Sequence, residues 1–133
     1  MILLDNQLLD ELSDKASKNE RLRINFNLHE TLDEPVQRLL NALEPGTLLP
    51  IHRHTDTAET YLVLRGSLKI LMYSEAGELE STQELNPGKG IYGAQIPAAQ
   101  WHTVEVLEKG TVIFEVKEGP YRPLTNDDIR LLQ

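Results

Sequence analysis

The sequence predicts an all-β fold in which antiparallel strands form a double-sheet barrel, with a short helix near each end of the chain. Apolar and polar residues alternate in many short stretches, which is the period of a half-buried strand. Gly, Pro and Asn separate these stretches, as they do at turns. The length of 133 residues indicates a single domain over 1–133, with a helix at 6–18, a barrel at 21–118 and a tail or helix at 123–133.

The N-terminal segment combines one helix with two strands. Residues 6–18 place Leu residues at helical spacing, and Asp5 can cap the first turn. The segments 21–29 and 36–43 then alternate polar and apolar side chains, so each is predicted to be a strand.

Further alternating segments follow and define the predicted interior. They cover 67–73, 79–85, 91–96, 102–106 and 112–116. Alternation predicts that the interior is lined by Val63, Val104, Val106 and Phe114. Glu115 and Lys117 are then expected on an outer face. Thr125, with Asp128 three residues later, predicts the start of the last helix.

Composition excludes several classes of function. The chain has no Cys, so disulfides, thiolate catalysis and Cys-ligated metal sites are ruled out. A net charge of −8 argues against nucleic acid as a partner. Because the sequence shows neither a signal peptide nor an apolar stretch long enough to cross a membrane, we expect a cytoplasmic protein without a membrane partner.

The segment Gly46–Gly66 carries the chemistry. It reads G-T-L-L-P-I-H-R-H-T-D-T-A-E-T-Y-L-V-L-R-G. His52 and His54 lie two residues apart on an extended segment, so their side chains leave the same side, and Glu59 returns a carboxylate after a short gap. Two imidazoles and a carboxylate can therefore converge on one point.

This spacing resembles the first conserved motif of the cupin superfamily without a gap. A second cupin motif is matched at 90–102, G-I-Y-G-A-Q-I-P-A-A-Q-W-H. Ala99 replaces the Gly of the family pattern P-x-G-x-x-H, one extra residue precedes Pro97, and Val106 stands where many members carry Asn. The resemblance implies a jelly-roll cupin barrel and adds His102 as a fourth metal ligand.

Shorter segments resemble the WbuC family of small cupin metalloproteins, often found in polysaccharide-synthesis gene clusters. They are N-L-H at 27–29, E-P-V-Q-R-L at 34–39, W-H-T at 101–103 and E-V-K-E-G-P-Y at 115–121. This resemblance spans 21–123 and implies a role in polysaccharide or secondary-metabolite biosynthesis. It also implies a homodimer, because cupins commonly pair through sheet edges and a bare edge favours association.

The predicted ligand set of three imidazoles and one carboxylate suits one divalent first-row metal. Mn(II) or Fe(II) is favoured by the carboxylate oxygen, while the affinity order would also let Ni, Zn, Cu or Co enter during purification. In six-coordinate geometry this set leaves two neighbouring positions for water or a small anionic or sugar-derived ligand.

Candidate substrate-binding or catalytic residues are Tyr61, Arg38, Gln37 and His29. Tyr61 shares the face of Glu59, whereas at most one of Gln37 and Arg38 faces the interior. His29 is either a loop residue or a substrate contact. Outside this set, Arg53 is expected in a surface ion pair. Trp101 is expected to pack over the mouth of the site.

Three functions compete at this point. The favoured one is a metal-dependent small-molecule enzyme of oxygenase, decarboxylase or isomerase type. The alternative is a non-catalytic, metal-dependent module that binds a sugar or small acid. A structural metal is the third, and it is disfavoured because structural sites close their coordination with protein ligands.

Overall fold

The computed structural model describes residues 1–130. Within them, one helix, α1 (Asn6–Lys18), precedes the strands, and two 3-10 turns occupy Pro87–Lys89 and Asn126–Asp128. The strands are β1 (Arg23–Asn27), β2 (Val36–Leu43), β3 (Ile51–His52), β4 (Glu59–Arg65), β5 (Leu68–Tyr73), β6 (Leu79–Leu85), β7 (Gly93–Ile96), β8 (Trp101–Val106), β9 (Thr111–Glu118) and β10 (Ile129–Arg130).

The strands form two antiparallel sheets that pack face to face. The first sheet has the order β1-β2-β9-β4-β7 and the second the order β10-β3-β8-β5-β6. Their shared core contains Leu43, Tyr61, Val63, Leu68, Ile70, Leu85, Ile96, Val104, Val106 and Ile113. The predicted antiparallel double sheet is confirmed, as is the inward position of Val63, Val104 and Val106. Closure of the two sheets into a barrel stays a prediction.

Helix α1 covers the outer face of the first sheet. It begins where the sequence predicts, because the Asp5 carboxylate accepts a hydrogen bond from the Leu8 N–H at 3.0 Å. Its buried side chains pack with residues of β2 and β9 in a second apolar cluster of Leu9, Leu12, Ala16, Leu40, Ala42 and Val112. Among residues 1–130, no helix is long and apolar enough to span a lipid bilayer.

The predicted facing of β9 is wrong. Phe114 packs against the cluster beneath α1, and Val112 belongs to that cluster, so both point away from the space between the sheets. Ile113 lies in the core between the sheets, and Glu115 and Lys117 line a cavity there. Residues along β9 do alternate between two faces, but both faces are buried, because α1 covers the outer one. The apolar residues on that face belong to the helix-covered side.

The predicted C-terminal helix is also absent from the described residues. Asn126–Asp128 makes a 3-10 turn, and Ile129–Arg130 continues as β10 beside β3. The Asp128 carboxylate accepts hydrogen bonds from Arg53 and Thr55, which tie it to the segment after β3. Thr125 makes no capping bond. The remainder of the predicted helix, 131–133, lies outside the described residues.

Candidate metal centre

Both sheets deliver residues to one point between them. In the second sheet, β3 and β8 are adjacent, and His52 lies directly opposite His102. In the first sheet, β4 alternates so that Glu59, Tyr61 and Val63 are buried. The two motifs of the sequence therefore meet across the sheets.

The predicted ligand atoms lie close together. His52, Glu59 and His102 each place one donor atom within 4.8 Å of the other two. Oε1 of Glu59 lies 3.0 Å from Nε2 of His54 and 3.2 Å from Nε2 of His102. His54 thus contacts Glu59, but it lies outside the tight group of three. Glu59 and His102 are almost fully buried, whereas His52 and His54 are half-buried.

Backbone carbonyls fix the tautomers of two of the imidazoles. Nδ1 of His52 lies 3.0 Å from the Pro50 carbonyl oxygen, and Nδ1 of His102 lies 2.8 Å from the Gln100 carbonyl oxygen. A carbonyl oxygen only accepts, so each Nδ1 carries the proton. Each neutral ring therefore has its lone pair on Nε2, and a carbonyl bonded to the other ring nitrogen in this way is what orients metal-binding histidines.

The Glu59 carboxylate is supported on one oxygen and unpartnered on the other. The Tyr61 hydroxyl donates to Oε2 at 3.1 Å, and its oxygen also lies 3.4 Å from Nε2 of His102. Oε1 is buried and has no hydrogen-bond partner among the described residues, because neither nearby imidazole meets it with hydrogen-bond geometry. A buried carboxylate oxygen beside imidazole lone pairs is costly unless a cation lies between them. These residues therefore fit a divalent metal.

The local electrostatics favour the metal-binding protonation states. Burial, with the adjacent His102 ring, lowers the pKa of His52 to about 4. Burial acts to raise the pKa of Glu59, but positive charge on the adjacent His102 and His54 rings outweighs it and lowers this pKa well below its usual range. A cation held at the same nitrogens acts in the same direction as that charge. Burial and the charge of Glu59 raise the pKa of Tyr61 well above its ordinary value. At neutral pH this gives a neutral His52, an ionised Glu59 and an intact phenol.

Three of the candidate ligands, His52, His54 and Glu59, border a cavity of about 370 Å³, here called the central cavity. Glu59 and Glu115 are the acidic residues in its lining. The basic residues in its lining are Arg21, Arg23, Lys117 and Arg122. The chain as a whole carries a net charge of −8, so this excess of basic groups is local. It favours an anionic ligand.

The other candidate residues take different positions. Tyr61 lines the central cavity, as predicted. Gln37 is buried, and its amide donates to the backbone carbonyls of Leu32 and Glu34 at 3.4 and 3.1 Å. Arg38 points outward and lies 4.0 Å from the Glu34 carboxylate. Gln37 and Arg38 do not border the central cavity.

The fourth histidine lies in the loop between β1 and β2, as one of its two interpretations has it, but it is buried rather than exposed. His29 is 5% exposed and lies under the N-terminal end of β2, where Nδ1 is 3.1 Å from the Arg38 backbone nitrogen. It does not border the central cavity either.

The predicted position of Trp101 is wrong. Its indole lies on the outer face of the second sheet, where the guanidinium groups of Arg53 and Arg130 are 4.6 and 3.8 Å from the ring centre. Because it directly precedes His102 on β8, the two side chains take opposite faces. The predicted ion pairs of Arg53 are present, with Asp128 at 3.1 Å and Glu75 at 3.2 Å.

Sequence reasoning missed several residues that line the central cavity. Glu115, Lys117 and Asn41 reach it from the first sheet, in neighbouring strands. Asn41 donates to the Glu115 carboxylate at 3.0 Å, and burial, with the charge of Glu59, raises the pKa of Glu115. The sequence does hold one indication of these residues, because Asn25, Asn27 and Asn41 are polar residues at strand positions whose neighbours are apolar.

The two sheets and the buried His–Glu cluster define a protein of the cupin fold, and comparison with solved structures supports this class. Residues 4–85 match the family described as Domain of unknown function (DUF6016), so the chain belongs to that family. The matched residues include His52, His54 and Glu59 and end before His102. No curated protein matches the chain in sequence.

Similar solved structures include KdgF from Halomonas sp., with 15% identity and a TM-score of 0.59 over 75% of this chain and 80% of that one. CapF of Staphylococcus aureus, a capsular polysaccharide assembling protein, has 19% identity and a TM-score of 0.64 over 86% of this chain. Oxalate decarboxylase of Bacillus subtilis has 18% identity and a TM-score of 0.57 over 83% of this chain. The chain spans 33% of the CapF chain and 27% of the decarboxylase chain.

Proposed function

We propose that this chain is a metal-dependent enzyme acting on a small anionic molecule, with one divalent ion held by His52, His54, Glu59 and His102. The observation that carries the proposal is the unpartnered Oε1 of Glu59, which is buried 3.2 Å from Nε2 of His102, a ring whose Nδ1 faces the Gln100 carbonyl. Mn(II) or Fe(II) is the proposed ion, since the set mixes nitrogen and oxygen donors. The oxalate decarboxylase of Bacillus subtilis, which has a similar fold, contains Mn(II) centres.

A bound ion would supply Lewis-acid or redox chemistry, and the chain's own residues would prepare the ligand for it. The basic side chains around the central cavity attract an anion and neutralise its charge. Tyr61 holds Glu59 in orientation through its hydroxyl. The apolar neighbours Val63 and Val104 limit water on that side, which strengthens electrostatic interactions in the site.

The biological setting proposed here is polysaccharide or secondary-metabolite biosynthesis. Its support is the motif resemblance to the WbuC family and a shared fold with CapF, a capsular polysaccharide assembling protein. The runner-up function is a non-catalytic module that binds a sugar or small acid through the same ion. Cytoplasmic location and a homodimer remain predictions from the sequence.

The proposal is tested with oxalate as a bidentate probe. We expect oxalate to change the electron paramagnetic resonance spectrum of the Mn(II)-loaded protein and to bind it in calorimetry, because open metal positions accept an anion. The metal-free protein should show at least tenfold weaker binding. Arg38→Met, on the outward face of β2, is the matched control and should leave binding unchanged. Failure of millimolar oxalate to alter the spectrum would favour a closed, structural metal site.

A further inference from the structure

A second cavity adjoins the central one and has a different lining. It has a volume of about 300 Å³ and is here called the polar cleft. Residues shared with the central cavity are Asn25, Asn41, Glu115, Lys117 and Tyr121, so the two cavities are contiguous. A ligand held at the metal centre can therefore extend into the polar cleft.

The polar cleft interrupts the apolar inner face of the first sheet. Strand register places Asn25 opposite Asn41, and Gln37 opposite Lys117, on neighbouring strands. At the other end of the same face, Leu43 and Ile113 belong to the core between the sheets. Replacing apolar contacts by amides and charges costs stability unless those groups are satisfied. A polar patch at this position is therefore typical of a binding surface.

His29 supplies an unsatisfied donor to the cleft. Its Nδ1 lies 3.1 Å from both the backbone nitrogen and the carbonyl oxygen of Arg38. The Arg38 N–H can only donate, so Nδ1 accepts from it, and the Arg38 carbonyl accepts the Leu28 N–H at 2.7 Å. The proton of the neutral ring therefore lies on Nε2. Among residues 1–130 this buried Nε2 has no hydrogen-bond partner.

Asn41 supplies an unsatisfied acceptor to the same cleft. Its Nδ2 donates to the Glu115 carboxylate at 3.0 Å, which leaves Oδ1 as the remaining polar atom. That oxygen is buried and has no partner in the described part of the chain. Two residues that line the cleft, His29 and Asn41, therefore each keep one buried polar atom without a partner among residues 1–130, a donor and an acceptor.

We propose that the polar cleft binds the hydroxyl groups of a polyhydroxylated acid, a sugar acid, whose acid group lies at the metal centre. Binding of the acid group rests on the proposed metal-dependent function. Binding of the hydroxyl groups in the polar cleft is a separate claim about the rest of the ligand. A hydroxyl group both donates and accepts, so it satisfies His29 and Asn41 alike. A phosphate or second carboxylate only accepts and would oppose Asn41 Oδ1 and Glu115. An apolar chain would leave both atoms unpaired.

The size of the cleft agrees with this ligand class. A volume of about 300 Å³ is at the lower end of the range for small-molecule pockets, roughly 300–1,000 Å³. Lys117 borders both cavities and can pair with the ligand's negative charge where the two meet.

The test compares two acids of equal chain length on the Mn(II)-loaded protein by calorimetry. D-gluconate and 2-hydroxyhexanoate share the same 2-hydroxy acid head and differ in the hydroxyls beyond it. We expect gluconate to bind about tenfold tighter or better, since each satisfied hydrogen bond contributes about three- to tenfold.

Two variants locate the effect. His29→Asn keeps an acceptor for the Arg38 N–H but removes Nε2, and Asn41→Leu removes the free Oδ1. Each should reduce the preference for gluconate over 2-hydroxyhexanoate by about three- to tenfold. Arg38→Met, on the opposite face of β2, is the control and should retain the full preference.

The outcomes separate the cleft from the metal centre. Equal binding of the two acids by the wild type, or an unchanged preference in both variants, would overturn the cleft and leave the metal-bound acid intact. If neither acid binds a protein shown by elemental analysis to hold Mn(II), the cleft and the proposed function both fail.

Discussion

Ala99 shows how one residue of the second motif departs from the cupin pattern while the backbone keeps its form. The family carries Gly there, and in this chain Ala99 adopts a left-handed conformation with φ of 67°. Its N–H donates to the His54 carbonyl at 2.8 Å, which links the turn before β8 to the first motif. A side chain in this conformation is strained, because its Cβ crowds the following carbonyl.

Ala99→Gly should therefore stabilise the protein. Relief of left-handed strain is worth about 1–2 kcal/mol, and the greater freedom of Gly in the unfolded chain offsets about 0.4–1 kcal/mol of it. We expect the free energy of unfolding to rise by about 0.5–1 kcal/mol in urea titrations. A loss of stability would mean that the turn depends on the alanine methyl group. Ala58→Gly, within the first motif but without positive φ, is the control and should not stabilise.

At the residue scale, the candidate metal ligands could be predicted because the spacing of three of them is local. His52, His54 and Glu59 lie within one short segment, and the second motif supplied His102. His29 and Asn41 could not be predicted as cleft residues in this way. Their roles depend on which hydrogen bonds their neighbours leave free, and only the packed structure determines that.

At the element scale, the alternation of polar and apolar residues predicted the positions of the strands well. It was less successful in predicting which face of a strand points inward. The predicted strands at 36–43 and 79–85 match β2 and β6, and α1 keeps its predicted bounds. Along β9 the inference failed because α1 makes the outer face of the first sheet a second core. A period of two identifies a strand's faces but cannot say which of two buried faces is the inner one.

The C-terminal segment is held against the second sheet by the contacts of Arg130, here together called the clasp, and one of these contacts is with Trp101. The Arg130 guanidinium stacks on the Trp101 ring and donates to the backbone carbonyls of Ser74 and Glu75. Arg53 covers the ring from another position. These contacts hold β10 at the sheet edge beside β3, which carries His52.

Arg130→Ala should release this clasp. Loss of the cation–π contact and its hydrogen bonds is expected to cost about 1–2 kcal/mol of unfolding free energy. Trp101 is the sole tryptophan in the chain, so its emission should shift to longer wavelength as water reaches the ring. Arg122→Ala, whose exposed pair with Asp56 is worth little, is the control. An unshifted spectrum in Arg130→Ala would contradict the clasp.

At the scale of the whole molecule, charge is distributed unevenly. The chain carries a net charge of −8, yet basic side chains gather around the central cavity beside the buried Glu59. Composition predicted acidity and the absence of a nucleic-acid partner, but it could not predict this local excess. The basic groups come from two segments far apart in sequence, one with Arg21 and Arg23 and the other with Lys117 and Arg122.

The central claim is that the two sheets meet at a metal ion. Glu59 belongs to the first sheet, whereas His52 and His102 belong to the second, so a bound ion would join them. The most direct measurement is elemental analysis of protein reconstituted with limiting Mn(II) and freed of unbound metal. We predict about one ion per wild-type chain and a loss of about tenfold or more in affinity for His52→Ala and for His102→Ala. Folding is checked by circular dichroism, and His29→Asn should retain the ion. Unchanged metal stoichiometry in both ligand variants would contradict the account.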